Sequence, residues 1–438
     1  MGLLCLIFAL LVWPVIFAGA QGTSEAWDQL RYHEAVIHTM VQQWPHLDLV
    51  NYESATTPGY HLLLSLVARF VSDSSMLLQF VNSLFSLALL LAVFIHVRRH
   101  LGPWHGLALV TPLLASSYFL GGAIWLTTDN AGWLPVALAL GGSAMLTPTA
   151  GRVARWGLYC TLAVLVRQIQ LWAMAPVGLA ALLMSPLAGK LPRLLHRPQA
   201  GPGSWREFLL PLPLVVAPLI VVAIFARLWG GLVPPACAAP HASGINPAMI
   251  PLTLALCGMH GVFFLPAFLS GVRRRGAADV LMWGALVIAI VAALIIPTTY
   301  DLDAGRFGGL WDVTRHLPTI GHCSVLFPPA AVVGALVLVW AGRAVFAAGH
   351  GRAATFLLLS MLGWLLAQMF NAEAWQRYCE PIVLIELIWM AALAMAPAGQ
   401  GAPSPFRGWW IGPLLLGLVQ LALSGAVLYY DAWQSVLR

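Results

Sequence analysis

The sequence predicts an all-α, polytopic integral membrane protein that crosses a bilayer about 13 times. Three observations predict this fold class. The chain is 60% hydrophobic and only 9% charged, whereas a soluble domain carries roughly 25% charged residues. Its mean hydropathy is +0.83. Apolar runs recur along its whole length, and many approach the roughly 20 residues that a helix needs to span the hydrocarbon core.

The predicted spans form one transmembrane domain over residues 1–438, with the N-terminus inside and the C-terminus outside. The larger outer loops are 21–75, 229–249, 298–323 and 371–380. The spans are placed at 1–20, 76–96, 105–122, 131–147, 155–171, 172–188, 208–228, 250–270, 279–297, 324–342, 355–370, 381–396 and 409–429. Ala18-Gly19-Ala20 is typical of a signal-peptidase site, but no basic residue precedes the run, so we expect an uncleaved first span.

Charge alternates between the gaps that separate these spans. One set of gaps is basic and contains Arg98, Arg99, Arg152, Arg155, Lys190, Arg193, Arg197, Arg206, Arg273, Arg274, Arg275, Arg343, Arg352 and Arg407. The other set holds nearly all the acids, namely Glu25, Asp28, Glu34, Asp48, Glu53, Asp73, Asp129, Asp301, Asp303, Asp312, Glu373, Glu380 and Asp431. Because positive loops stay cytoplasmic, we expect the carboxylates to gather on the outer face.

The net charge of +6 does not indicate nucleic acid as a partner, because the excess cations fall in short loops that meet lipid headgroups. The expected environment is the lipid bilayer of a bacterial inner membrane, or the ER membrane if the source is eukaryotic. The six cysteines lack the spacing of a zinc site. Cys237, Cys323 and Cys379 lie in or beside outer loops. Whether two of them form a disulfide is left open by the sequence.

The first outer loop has the pattern of two helices. Ser24 is placed to cap a helix that runs from Glu25 to about Trp44. Thr57 and Pro58 are typical of a second helix start. The apolar stretch 60–71 is too short to cross a bilayer, so we expect a helix that lies in the outer interface.

The segment from Asp28 to Glu34 carries the first candidate site. On a regular helix Arg31, Glu34 and His38 would share one face. A carboxylate at this position has the chemistry of a general base for a hydroxyl, and Asp28 and Glu34 are the candidates. The alternative is a solvated, salt-bridged helix start in which the negative charge of Asp28 interacts favourably with the positive end of the helix dipole.

Two further candidates are found at the outer ends of spans. Asp129 follows Thr127 and Thr128, either as a site residue or as the cap of the next helix. Arg167 and Gln168 interrupt an apolar stretch. Because a charge inside a span costs about 2.5–3.5 kcal/mol on insertion scales, Arg167 needs an anionic partner or a polar cavity, unless it reaches the interface.

Arg377 opens the twelfth span beside aromatic residues. It is either an interface anchor or a phosphate ligand, because a guanidinium matches phosphate oxygens. Glu386 lies inside the same span and is expected to pair with a neighbour. Asp301 and Asp303 are a weak signal for a divalent cation, and no other cofactor is expected. His316 and His322 are expected to be ordinary loop residues.

The order of short motifs over residues 25–175 resembles the GT-C glycosyltransferases, and within them the dolichyl-phosphate-glucose alpha-1,2-glucosyltransferase family. The motifs that carry the resemblance are Asp28 before Tyr32-His33, Thr56-Thr57-Pro58-Gly59-Tyr60, Asn82, Thr128-Asp129, and Arg167-Gln168 followed by Trp172. The chain departs from this family at Gln29, where the family's acidic pair is not intact, and in residues 371–378, which only partly match its late outer motif.

The resemblance implies a GT-C-like fold with interface helices in the first outer loop. It implies an inverting glycosyltransferase that uses a polyprenyl-phosphate sugar donor and a glycan, lipid or protein acceptor. Asp28 or Glu34 would be the catalytic base, and Arg167 and Arg377 would hold the leaving phosphate, with His33, Asp129 and Gln168 as further substrate contacts. The alternatives are a transporter or flippase of lipid-linked substrates, which would show midplane charges and repeats, and an envelope scaffold.

Overall fold

The computed structural model describes residues 1–190, 203–238, 244–272, 278–396 and 408–437, and within these it is almost entirely helical. The α-helices of the first half are α1 Gly2–Phe17, α2 Ser24–Asp28, α3 Ala35–Gln43, α4 Gly59–Phe70, α5 Ser75–Leu101, α6 Pro103–Ala115, α7 Ser117–Ile124, α8 Asp129–Met145, α9 Ala150–Val166, α10 Met174–Leu182, α11 Trp205–Leu209 and α12 Leu212–Trp229. A π-helical segment, Gln29–Glu34, joins α2 to α3, and 3-10 turns at Gln168–Ala173 and Pro186–Lys190 flank α10.

The second half continues the same architecture. Its helices are α13 Pro235–Ala238, α14 Met249–Gly261, α15 Leu265–Val272, α16 Ala278–Ile295, α17 Leu310–Thr314, α18 Phe327–Ala347, α19 Gly351–Gln368, α20 Gln376–Met395, α21 Ile411–Ser424 and α22 Tyr430–Leu437. A 3-10 turn, Val262–Phe264, joins α14 to α15, and a π-helical segment, Gly425–Tyr429, joins α21 to α22. The strands β1 Thr319–Ile320 and β2 Cys323–Ser324 form a small antiparallel hairpin. The predicted all-α class is therefore confirmed.

Seven helical stretches in the described residues are long and apolar enough to cross a membrane, so the chain is an integral membrane protein. They are Ser75–Leu101, Trp205–Trp229, Met249–Leu269, Phe327–Ala347, Gly351–Gln368, Gln376–Met395 and Ile411–Leu437, and each matches a predicted span. Five further predicted spans coincide with α1, α8, α9, α10 and α16. These helices are shorter or less apolar than the seven above. The total of 13 crossings stays a prediction.

Two of the predicted spans have a different shape in the structure. The span predicted at 105–122 consists of α6 and α7, which meet at an angle of 72°. Ser116 adopts an extended backbone between them, and its Oγ caps α7 by accepting from the Phe119 amide. The boundary predicted between 171 and 172 lies instead at Arg167, which is extended and ends α9. A polar side chain at each break has a partner in another helix: the Ser116 hydroxyl donates to Glu380 at 2.6 Å, and Arg167 pairs with Asp129.

The helix α20 lies at the centre of the bundle, and its apolar stretch is fully buried. It packs against α5, α6, α14, α18 and α19. The N-terminal helix α1 packs on α5 and α7 through Leu4, Phe8, Val12 and Val15, which recur at helical spacing on one face. The packing of α1 therefore fixes where the first long loop starts relative to the bundle.

The first long loop forms the two helices that the sequence predicts, but their caps differ. Thr23, rather than Ser24, caps α2, because its Oγ1 accepts a 3.1 Å hydrogen bond from the Ala26 amide. Thr57 does not cap α4, since its hydroxyl donates to the carbonyl of Val164 at 2.5 Å. One face of α4 is buried, through Tyr60, His61, Leu64, Ser65 and Ala68. Its position at a bilayer interface stays a prediction.

Several smaller expectations also meet the structure. All six cysteines lie in the described residues and are free, so the disulfide that the sequence left open is not formed. Asp301 pairs with Arg306 at 3.0 Å, while His316 and His322 are exposed loop residues. Glu386 is fully buried, and neither carboxylate oxygen has a hydrogen-bond partner in the described chain, so the expected pairing is wrong. The basic residues Arg193, Arg197, Arg273, Arg274, Arg275 and Arg407 and residues 239–243 of the loop 229–249 lie outside the described residues.

Candidate active site

A cavity of about 1970 Å³ lies where the first long loop meets the ends of α9, α12 and α20. Its polar wall is formed by ionisable and amide side chains, and its other wall is apolar. The polar side chains include Glu25, Asp28, Arg31, His33, Glu53, Asp129, Arg167, Gln168, Glu373, Gln376 and Arg377. Six of the seven site residues predicted from sequence therefore line one cavity, and Glu34 is the exception.

The carboxylate of Asp28 pairs with Arg377 across the cavity wall. Nη1 of Arg377 donates to Oδ2 of Asp28 at 2.6 Å. Asp28 ends α2 and Arg377 is the second residue of α20, so this ion pair fixes the first loop to the central helix. Both side chains are about one fifth exposed, at 19% and 21%, and are therefore accessible from the cavity.

A second ion pair joins Asp129 to Arg167 at the same wall. Asp129 is the first residue of α8, and no side chain caps that helix, so the alternative role as a cap is wrong. The guanidinium of Arg167 lies 4.8 Å from the centroid of the Tyr378 ring, and that of Arg377 lies 5.3 Å from it. Cation–π attraction to one shared aromatic ring thus holds two like charges close together.

One donor of this arrangement is unused. Nε of Arg377 is buried and has no hydrogen-bond partner within the described chain. A buried donor without an acceptor costs about 1–3 kcal/mol, and more when it is charged. The geometry therefore favours an acceptor that binds at this point, and an anion with several oxygens satisfies such a donor best.

His33 reaches the cavity because the backbone is π-helical over Gln29–Glu34. Such wide turns inside α-helices are frequent at functional sites. They also change which residues share a face, so Arg31 and His33 line the cavity while Glu34 is turned away from it. Glu34 is buried and accepts hydrogen bonds from Gln29, at 3.0 Å, and from Ser75.

Two glutamines hold the cavity wall in place. Gln29 is fully buried and accepts from the side chain of Gln79 at 3.0 Å and from the amide of Leu126 at 2.9 Å. Gln168 donates to the carbonyl of Ala55 at 2.7 Å. It also donates to the carbonyl of Leu232, and its Oε1 accepts from the Thr57 amide. The amide of Gln168 is thus engaged with the protein, which anchors the loop before α4.

Glu373 is an acid of the site that the candidate list from sequence does not contain. It lies in the loop before α20, lines the cavity, and accepts a 3.4 Å hydrogen bond from the Tyr378 hydroxyl. Burial raises the pKa of Glu373 to about 7, although Arg377 and Arg167 act in the opposite direction. The sequence held one indication of this role, since Glu373 lies close to Arg377 in the loop 371–380.

The apolar wall of the cavity faces helices that are exposed at the protein surface. It includes Met174 and Ala175 at the start of α10, Leu219 and Val222 in α12, and Phe370 after α19. Leu219 is 44% exposed, and its neighbours Ile220 and Ile224 are exposed still more. In an integral membrane protein, an exposed apolar helix face of this kind is expected to contact lipid, and the cavity lies beside it.

A metal ion has no evident site in the part of the chain that the structure describes. No group of three or more histidine, cysteine or acidic side chains is arranged to hold one. In particular, Asp301 is engaged with Arg306, and Asp303 is not part of such a group. The charges that face the cavity are organised as ion pairs between side chains.

No protein-family model matches the chain, and no curated protein sequence does. Similar solved structures include two of ArnT from Cupriavidus metallidurans. The one bound to undecaprenyl phosphate is 12% identical, with a TM-score of 0.43, over 98% of this chain and 88% of that chain. The apo structure is 13% identical, with a TM-score of 0.37, over 91% and 77% of the two chains.

Proposed function

We propose that the chain is a membrane glycosyltransferase of the GT-C kind. It transfers a sugar from a polyprenyl-phosphate donor to an acceptor hydroxyl of a glycan, lipid or protein on the outer, periplasmic or lumenal, face. One observation carries the proposal: two carboxylate–guanidinium pairs meet at the ring of Tyr378 in a cavity whose other wall is apolar. A charged headgroup and a lipid tail need these two surfaces together.

Arg377 and Arg167 are assigned to the donor phosphate. Both are already paired with carboxylates, but a guanidinium has five N–H donors, and Nε of Arg377 has no partner among the described residues. When the sugar leaves, negative charge grows on the phosphate oxygens. Donors already aimed at that position stabilise the transition state, because they need no reorganisation.

Asp28 is assigned as the general base. The acceptor oxygen attacks the anomeric carbon from the side opposite the phosphate, the bond between that carbon and the phosphate oxygen breaks, and the acceptor proton passes to Asp28. The products are an inverted glycoside and polyprenyl phosphate. Asp28 is favoured over Glu34 because it lines the cavity, while Glu34 is bonded to Gln29 and Ser75 outside it.

The remaining walls fit the rest of the substrate. Leu219, Val222 and Phe370 offer an apolar path for the polyprenyl chain. Trp27, Trp229 and Trp375 also line the cavity, and aromatic rings of this kind have an apolar body on which the faces of a sugar can pack. His33 and Asp129 are assigned as further substrate contacts, and Gln168 as the residue that holds the wall.

A second candidate is a transporter or flippase of lipid-linked substrates. Two observations favour it: the 72° break between α6 and α7, and Glu386, which lies in a buried span and has no hydrogen-bond partner in the described part of the chain. Against it, the charged side chains that face the cavity gather at one end of the bundle. We therefore favour chemistry over transport.

The test uses membranes that contain the protein, an acceptor extract and a radiolabelled polyprenyl-phosphate hexose. The proposal predicts transfer of label to acceptor by the wild type and loss of transfer by Asp28→Asn. Proteoliposomes loaded with the same donor provide the second arm. Movement of unchanged donor between leaflets, without any new glycosidic bond, would establish the transporter and contradict the transferase.

A further inference from the structure

Three uncharged side chains form a hydrogen-bonded chain that leads from the cavity into the protein. Nδ1 of His33 lies 2.8 Å from Nε2 of His61, and Nδ1 of His61 lies 2.5 Å from the Tyr52 hydroxyl. The two imidazoles stack at 5.1 Å with an interplanar angle of 15°. His61 and Tyr52 are buried, and only His33 lines the cavity.

All three groups stay neutral at physiological pH. Burial, helped by the nearby Arg377 and Arg167, lowers the pKa of His33 to about 3. Burial also lowers the pKa of His61 well below its ordinary value and raises that of Tyr52. Each neutral imidazole has one N–H and one bare nitrogen. These hydrogen bonds can therefore run in either of two directions. In one direction Nε2 of His33 presents a proton to the cavity, and in the other it presents a bare nitrogen.

Hydrogen bonding around Tyr52 selects one direction. Among the described residues, the geometry gives the Tyr52 hydroxyl one hydrogen bond, the 2.5 Å contact with Nδ1 of His61, while Ser54 and Thr56 bond to each other at 3.2 Å. If Nδ1–H of His61 donated this bond instead, the contact would offer the Tyr52 proton no acceptor. Tyr52 therefore donates to Nδ1 of His61, and Nε2–H of His61 donates to Nδ1 of His33.

The consequence falls on the cavity side. With Nδ1 of His33 occupied as an acceptor, its proton is on Nε2, which has no partner among the described residues. We propose that Tyr52 and His61 are positioning residues that fix His33 as a neutral Nε2–H donor to an oxygen of the bound sugar. This inference rests on the proposed function. A neutral donor suits a sugar oxygen, because the two guanidiniums already supply the charge for the phosphate.

The first experiment measures tautomers directly. The full-length protein is labelled with 15N-histidine, and long-range 1H–15N spectra are assigned with His33→Gln and His61→Gln. The proposal predicts pyrrole-type Nε2 and pyridine-type Nδ1 for both rings. Tyr52→Phe keeps the ring stacked on Trp229 but removes the donor, so it should move both histidines toward the other tautomer.

The matched control is Tyr430→Phe, which deletes an exposed hydroxyl at the far end of the chain and should leave the spectra unchanged. Wild-type rings protonated on Nδ1 would overturn the assigned direction. So would unchanged histidine signals in Tyr52→Phe. This readout needs no substrate, so it stands or fails independently of the glycosyltransferase proposal.

The second experiment separates positioning from binding. Tyr52→Phe should bind polyprenyl phosphate, followed by tryptophan fluorescence, within twofold of the wild type. Its kcat/KM for sugar transfer should fall about tenfold, which corresponds to the loss of one hydrogen bond. Equal transfer by both proteins would overturn the role of His33 toward the sugar. A wild type that does not bind polyprenyl phosphate would instead contradict the proposed function.

Discussion

Nη1 of Arg377 and Oδ2 of Asp28 are 2.6 Å apart, although 349 positions separate the two residues in the chain. The pair joins the first loop to the central helix α20, and it lies beside the second pair, Asp129 with Arg167. An anion that enters the cavity must share the guanidiniums with these carboxylates or displace the carboxylates from them. The same contact therefore sets the geometry of the proposed base and that of the proposed phosphate ligand.

Asp28→Asn tests the base. The substitution keeps the shape of the side chain but removes its ability to accept the acceptor proton, and general-base catalysis contributes about 10²–10⁴-fold to a rate. We expect transfer to fall by that factor. Binding of polyprenyl phosphate should persist or tighten, because Arg377 loses an anionic competitor. Asp73→Asn, at an exposed loop position, is the control and should transfer normally. Equal rates in both variants would contradict the assignment.

Arg377→Lys tests whether guanidinium geometry matters beyond charge. Lysine keeps the positive charge but lacks the planar fork and the Nε donor. A hydrogen bond to a charged group is worth about 1.5–3 kcal/mol, so polyprenyl-phosphate affinity should fall roughly 10- to 100-fold. Arg315→Lys is a matched control, since Arg315 also lies over a tyrosine, at 4.3 Å from Tyr300, but does not line the cavity. Titration calorimetry in detergent would measure both, and similar losses would indicate a merely structural effect.

The pKa of Glu373, about 7, predicts a pH dependence of phosphate binding. Below this pH the carboxyl is neutral, and the cations Arg377 and Arg167 are offset mainly by Asp28 and Asp129. Above it, an additional negative charge lies beside Arg377. Affinity should therefore fall as pH rises from about 6 to about 8.

Glu373→Gln should remove this pH dependence. Its affinity should stay, at every pH, near the higher value that the wild type has at low pH. Comparing the two proteins cancels the titration of the phosphate itself, which also occurs near pH 6. A profile that is identical in wild type and variant would show that Glu373 does not titrate beside the ligand.

Glu34→Gln should affect stability and leave phosphate binding intact. Gln29 and Ser75 both donate to the Glu34 carboxylate. An amide removes the charge that strengthens both bonds and replaces one accepting oxygen with a donor, at a cost of about 1–3 kcal/mol. Thermal unfolding followed by circular dichroism measures this loss, with the exposed Glu207→Gln as reference. Loss of sugar transfer at unchanged stability would instead restore Glu34 as a candidate base.

Hydropathy and charge predicted much of the framework, because lipid requires long apolar helices with polar residues at their ends. Asp129, Arg167 and Arg377 could be selected from sequence for this reason, since each lies where an apolar run meets a loop. The break at Ser116 was not predictable, because it depends on the Phe119 amide and on Glu380, whose carboxylate accepts from Ser116 at 2.6 Å.

The site required information that sequence spacing does not contain. Regular helical geometry places Arg31 and Glu34 on one face, and the π-helical segment separates them. The shared position of two guanidiniums at Tyr378 depends on residues from α9 and α20 that meet only in the folded chain. Gln29 departs from the resembled family's motif, yet it holds this segment through Gln79 and Leu126.

The most direct test is a structure of the protein with a bound polyprenyl phosphate. We expect the phosphate within hydrogen-bond distance of Nε of Arg377 and beside Arg167, with the prenyl chain along Leu219 and Val222 and the acceptor side open to Asp28. A phosphate held elsewhere, with Asp28–Arg377 and Asp129–Arg167 unchanged and the cavity unoccupied, would contradict the proposed active site.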